Sequence, residues 1–139
     1  MKTVPPNVEL LTLAEALATY MPHFVPLTQN LTGTEFNGET YDDTDNGIID
    51  LSVTFGAPAG IKAIYVNMLI SCPTVGKRVS LGPSSSYPSA MHALAQVSNA
   101  WVSQAGIVPC DSNGDVYFST DAVAGSGARV YIRIWGYWI

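Results

Sequence analysis

The stretch that decides the fold is the C-terminal one, Arg129-Val-Tyr-Ile-Arg-Ile-Trp-Gly-Tyr-Trp-Ile139. Successive side chains of a β-strand point to opposite faces, so this alternation predicts a strand with two different surfaces. One surface consists of Val130, Ile132, Ile134 and Trp138. The other consists of Arg129, Tyr131, Arg133, Trp135 and Tyr137. We expect the first surface to belong to a hydrophobic core.

The second surface has the composition found at the centres of protein interfaces, where Tyr, Trp and Arg are enriched. We therefore predict that four of its residues contact a neighbouring subunit: Tyr131, Arg133, Trp135 and Tyr137. The alternative is that loops of the same domain cover it, with the arginine stems lying over the rings. Gly136 is expected to let a backbone or a ring approach closely.

The remainder of the chain contains further segments with a strand pattern. In Ile49–Phe55 every odd residue is apolar, which predicts a strand with one solvated face. Ile61–Ser71 is a long apolar run, typical of a central strand. Shorter strands are predicted at Arg78–Leu81, Trp101–Val108 and Val116–Thr120.

Turn signals separate these segments. Gly56-Ala-Pro-Ala-Gly60 and Asp111-Ser-Asn-Gly114 are rich in residues that accept turn conformations. The chain of 139 residues also has 12 Gly and 9 Pro, and only 12% of its residues are charged. Together these features predict an all-β fold, an antiparallel β-sandwich or jelly-roll-like domain over residues 29–139.

Residues 1–28 form a separate region, predicted to be an arm with a short amphipathic helix. Thr12 and Glu15 have the spacing of a capping box, and Pro22 should end the helix near Tyr20. The apolar stripe of this helix would dock either on its own domain or on a neighbouring subunit. Four of its residues are therefore candidates for a subunit interface: Leu10, Leu13, Leu17 and Met21.

Composition excludes several classes of function. The formal net charge is −5, and the six basic residues are scattered, so binding to nucleic acid is not expected. No run of about 18 apolar residues occurs, so no membrane-spanning segment is expected. Cys72 and Cys110 are too few for a disulfide framework and are interpreted as small buried apolar residues in a reducing cytoplasm.

A search for catalytic or metal-binding patterns predicts none. His23 and His92 have no partner that would make a nucleophile or a zinc site. The acidic stretch Asp42–Gly47 does not have the glycine and glutamate positions of an EF-hand, and we interpret it as a solvated turn. The chain is therefore not expected to be an enzyme or to hold a cofactor or metal.

Five stretches of the chain resemble small virion proteins of tailed bacteriophages. They are Phe24-Val-Pro-Leu-Thr28, residues 32–41, Phe55–Ala63, Val108–Phe118 and Ile134-Trp-Gly-Tyr-Trp138. The most specific are Asn113-Gly-Asp-Val-Tyr117 and the closing Trp135-Gly-Tyr137. The similarity covers about residues 24–139 and identifies no functional residue.

This resemblance implies a structural role on the exterior of a capsid, after synthesis in the host cytoplasm. The leading hypothesis is a capsid decoration (cement) protein that binds the major capsid protein, or other virion proteins, as a homotrimer. The charge-poor composition and the N-terminal arm favour it. The alternative is the tip of a tail fibre or head fibre that binds host surface glycan, since exposed Trp and Tyr rings stack on sugars.

Overall fold

A computed structural model describes residue 12 and residues 22–38, 47–122 and 126–139. These residues contain eight strands and one short helix, α1 at Leu51–Phe55. The strands are β1 Phe24–Gly38, β2 Gly47–Ile49, β3 Ala63–Ser71, β4 Arg78–Gly82, β5 Met91–Leu94, β6 Val102–Pro109, β7 Val116–Thr120 and β8 Arg129–Trp138.

The strands form two four-stranded antiparallel sheets, with the orders β1-β8-β3-β6 and β2-β7-β4-β5. We call them the first and the second sheet. Strand β1 pairs with β8, β2 with β7, β3 with β6 and β4 with β5, as when one long hairpin is rolled into two layers. This is the arrangement of a jelly roll. The predicted all-β sandwich is confirmed.

The core lies between the two sheets. Residues 64, 66, 68 and 70 of β3 are fully buried, as the predicted alternation required. The second sheet covers them with Val79, Leu81 and Phe118. An aromatic cluster closes the core where Phe36 of β1 packs against Phe118, with ring centroids 5.0 Å apart. A core of this size stabilises the domain without a disulfide, and both cysteines are free.

The predicted strand at Ile49–Phe55 is wrong beyond Ile49, because the chain forms α1 there. Asp50 caps this helix by accepting hydrogen bonds from the backbone N–H groups of Ser52 and Val53. Gly56 ends it in the left-handed conformation, with φ of 70°. Leu51 and Phe55 are buried as the strand pattern would also require, but Val53 is 80% exposed.

The other predicted strands are confirmed to within two residues at their ends. Strands β1 and β5 are not among the predicted strands, and the four residues of β5 are too few for a clear period. The predicted helix of the arm, with Leu10, Leu13, Leu17 and Met21, lies outside the described residues, as does 42–46 of the acidic stretch. The division of the chain at residue 28 stays a prediction, although β1 begins at Phe24 and runs across that position.

Candidate functional site

The C-terminal strand β8 lies inside the first sheet and contains an irregularity near its end. Val66 of β3 lies opposite Ile134, whereas the preceding Tyr65 lies opposite Gly136. Trp135 therefore has no partner on β3. This is a β-bulge, in which one extra residue changes the phase of the side chains that follow.

The bulge corrects the predicted assignment of the last residues to the two faces. Tyr137 lies opposite the fully buried Ile64 and packs against the core. Trp138 lies opposite Phe24 and contacts its ring, with centroids 4.6 Å apart, on the outer side. The prediction is thus wrong for Tyr137 and Trp138, which exchange faces. It is confirmed for the three core residues before the bulge: Val130, Ile132 and Ile134.

Gly136 makes the close approach that the sequence predicts. The ring of Phe24 lies directly over it, and a Cβ atom at this position would overlap that ring. The first residue of β1 is thereby held against the outer side of β8. The glycine lets an aromatic ring from a neighbouring strand join those of β8.

The outer side of the first sheet carries a set of rings, which we call the aromatic face. Its rings come from β1, β3, β8 and the residue before β6. Tyr65 and Trp135 are 39% and 38% exposed, so the described loops leave them open to solvent. The aromatic face consists of Phe24, Tyr65, Trp101, Tyr131, Trp135 and Trp138.

Two arginines are built into the aromatic face. The Arg129 guanidinium lies 4.8 Å from the ring centroid of Trp101 and donates a hydrogen bond to the Ser71 hydroxyl. The Arg133 guanidinium lies 4.6 Å from the centroid of Tyr131. Such cation–π contacts hold the flat guanidinium groups along the rings.

In three of the four strands of the first sheet every charged side chain is basic, and only β1 contains a carboxylate, that of Glu35. Strands β3, β6 and β8 contain no Asp or Glu, although the whole chain has a net charge of −5. Ten residues of β8 span about 30 Å, and four strands span about 15 Å. The outer side of the first sheet, on which the aromatic face lies, therefore extends over several hundred Å².

Of the four interface candidates in β8, the structure brings three together. Tyr131, Arg133 and Trp135 lie on the aromatic face, whereas Tyr137 is partly buried and packs against the core. Sequence reasoning missed Tyr65, although its alternation with Ile64 and Val66 was a usable signal. Alternation places Trp138 on the wrong face, because the residue sequence does not reveal the bulge.

Apart from the aromatic face, a cluster of carboxylates lies at one end of the sandwich, where Asp50, Asp111 and Asp115 come close together. The hydrogen bond from the Ser52 hydroxyl holds the pKa of Asp50 below its usual value. Burial raises the pKa of Asp115, and the nearby carboxylates of Asp50 and Asp111 raise it further.

Two of these carboxylates accept hydrogen bonds that hold the local backbone: Asp50 caps α1, and Asp111 closes a turn. One Asp111 oxygen accepts hydrogen bonds from the backbone N–H groups of Asn113 and Asp115, which holds the predicted turn closed. Among the described residues, no group of three His, Cys, Asp or Glu side chains has a geometry that could hold a metal ion. We therefore assign the cluster to the fold.

The two cysteines differ in environment. Cys72 is buried as predicted, and Cys110 is only half-buried. Burial still raises the pKa of the Cys110 thiol to about 12, with Asp111 and Asp115 adding to the effect. A thiol that stays protonated at neutral pH is a weak nucleophile.

Comparisons with known proteins leave the site to be interpreted from its own geometry. No family model, no curated protein and no solved structure matches the chain. In the part of the chain that the structure describes, no helix is long and apolar enough to cross a membrane.

Proposed function

We propose that this protein is a structural component of a tailed-phage particle, most specifically a capsid decoration protein. The observation that carries the proposal is the aromatic face, an exposed patch of rings and arginines on a sheet in which β3, β6 and β8 contain no carboxylate. In the proposal, this face binds the major capsid protein or another virion protein. The sequence resemblance supports the virion assignment, and jelly rolls are frequent in viral capsid proteins.

The mechanism is the burial of ring surface across the boundary between capsid subunits. Trp and Tyr bury large areas at small conformational cost, and Arg adds hydrogen bonds to carboxylates or carbonyls of the partner. A homotrimer would repeat the contact three times, so that modest affinity per subunit gives stable attachment. The shell would then resist a higher internal pressure.

A count of copies per purified particle tests this role. Quantitative mass spectrometry against the major capsid protein should give a number that scales with the capsid lattice, in the hundreds. A number equal to the few fibres or tail parts of a particle would reject decoration.

A second candidate function is the binding of host surface glycan by a fibre tip. The exposure of Tyr65 and Trp135 on one side of a sheet favours it, since sugar rings stack on exposed aromatic rings, and lectins include jelly rolls. Binding of the isolated protein to a glycan array, lost in Trp135→Ala, would support this role. If the protein bound no glycan on the array and was present in hundreds of copies per particle, the decoration role would be supported instead.

A further inference from the structure

The four edge strands of the sandwich differ in how they are protected. An edge strand exposes unpaired backbone N–H and C=O groups, and natural proteins block them with short strands, bulges, proline or charge. Strands β2 and β5 have three and four residues. Strand β1 contains Pro26, and its pairing with β8 is interrupted by two register shifts.

Strand β6 has none of these protections along its length. It has eight residues, Val102–Pro109, with no charged residue and a proline only at the last position. Its register with β3 is unbroken from Ile70 opposite Val102 to Ala63 opposite Pro109. It is therefore free of bulges, neutral and long enough to continue the ladder of the first sheet.

The side chains of β6 also show that its free edge is open. Ser103, Gln104 and Ala105 are all exposed, although neighbouring residues of a strand point to opposite faces. Ile107 is 57% exposed. Strand β6 ends the order of the first sheet, so within the described residues β3 alone pairs with it.

We propose that β6 is a pairing edge, at which a second copy of this chain adds its own β6 in antiparallel orientation. A twofold axis near Ala105 would place Ile107 of one copy beside Ser103 of the other. The two first sheets would become one eight-stranded sheet, with the aromatic faces of both copies on the same side.

Charge favours a second copy as the occupant. Two chains with a net charge of −5 repel each other, so copies associate best where carboxylates are absent. Strand β6 and its neighbour β3 contain none. A twofold contact also uses the same surface on both copies, which a neutral, unbranched stretch around Ala105 satisfies.

This contact is independent of the proposed trimer and goes beyond the proposed function. Pairing at β6 uses backbone groups on the edge and leaves the aromatic face free for a capsid partner. If the threefold contact also forms, the pairing joins two trimers. In either case the number of subunits in solution is even.

The test measures the mass of the full chain by sedimentation velocity or native mass spectrometry. Wild-type protein should form an even-numbered species, built on twice the 14.8 kDa of one chain. Ala105→Lys places two like charges close together across the axis and should halve the mass, with the dissociation constant raised about tenfold or more. Ala105→Glu should do the same, and a mixture of the two variants should restore the wild-type mass.

The control is Val53→Lys, which adds the same charge at an exposed residue on α1 and should leave the mass unchanged. Far-UV circular dichroism and the thermal midpoint confirm that each variant is folded. A wild-type monomer or trimer would overturn the proposal. It would also be overturned by an even-numbered species that both Ala105 variants preserve.

Discussion

The ring of Phe24 fills the space in which a side chain at Gly136 would lie. The first residue of β1 therefore packs against the end of β8, where its ring also contacts that of Trp138. This contact joins the beginning and the end of the domain. It also adds the Phe24 ring to the aromatic face. Both effects depend on the absence of a Cβ atom at one position.

Replacing this glycine should therefore destabilise the domain. Gly136→Ala forces either the Phe24 ring or the β8 backbone to move, and overpacking of this kind costs about 1–3 kcal/mol. The free energy of unfolding from urea titration measures it. Gly47→Ala is the matched control, because a Cβ atom there meets nothing within 4 Å, and its effect should be about 0.5 kcal/mol or less. Equal losses in both variants would contradict the account.

Adjacent residues of β8 should separate folding from assembly. Ile134 is fully buried, so Ile134→Ala should cost about 2–5 kcal/mol of unfolding free energy. Trp135→Ala removes a side chain from the outer side of the bulge and should cost about 1 kcal/mol or less. Urea titration of both variants measures the difference, and similar losses would place Trp135 in the core.

The acidic cluster predicts a dependence of stability on pH. The pKa of Asp115 is raised in the folded state, so its ionisation favours unfolding as the pH rises from its ordinary value of 3.8 through the raised one. Asp115→Asn keeps an oxygen that can accept the hydrogen bond from the Leu51 N–H and removes the charge. The variant should melt at a higher temperature than wild type at pH 7, and the two should converge below pH 3.8.

Thermal midpoints across this range test the sign. Asp50 works in the opposite direction, because its pKa is lowered, and its contribution is lost as the pH falls through that lowered pKa. A variant that melts below wild type at pH 7 would show that the Asp115 carboxylate stabilises the turn.

The cysteines should react slowly in the folded protein. A Cys110 thiol with a pKa of about 12 is almost fully protonated at pH 8, and Cys72 is buried. Iodoacetamide should therefore label the native protein far more slowly than the urea-unfolded protein, which should incorporate two labels. Rapid labelling of native Cys110, or fewer than two labels after unfolding, would contradict this environment.

The sequence was sufficient for the fold class because period two is visible wherever a strand has one buried face, as in residues 64–70 of β3. It failed at residues 50–55 for a physical reason. Leu51 and Phe55 are spaced by four, which suits a helix as well as a strand, and only the caps at Asp50 and Gly56 decide between them. Those caps were present in the sequence and outweighed the alternation.

The residue types of the candidate site were predictable from the sequence, but the face of β8 on which its last residues lie was not. Tyr131, Arg133 and Trp135 precede or form the bulge, so their face followed from simple alternation. Beyond it, Tyr137 and Trp138 exchange sides because one extra residue is inserted opposite β3. Contributions from other strands, such as Phe24, depend on pairing between distant parts of the chain, which alternation does not report.

The central claim is that the aromatic face attaches the protein to a particle, and occupancy of purified particles by variants tests it most directly. Ile48→Ala is the control, because Ile48 is an exposed apolar residue on β2 of the second sheet. We predict that wild type and Ile48→Ala are bound in equal, high copy number, whereas folded Trp135→Ala is lost from particles. The claim would be contradicted if the single variants Trp135→Ala and Tyr65→Ala were both bound to particles in the same copy number as wild type.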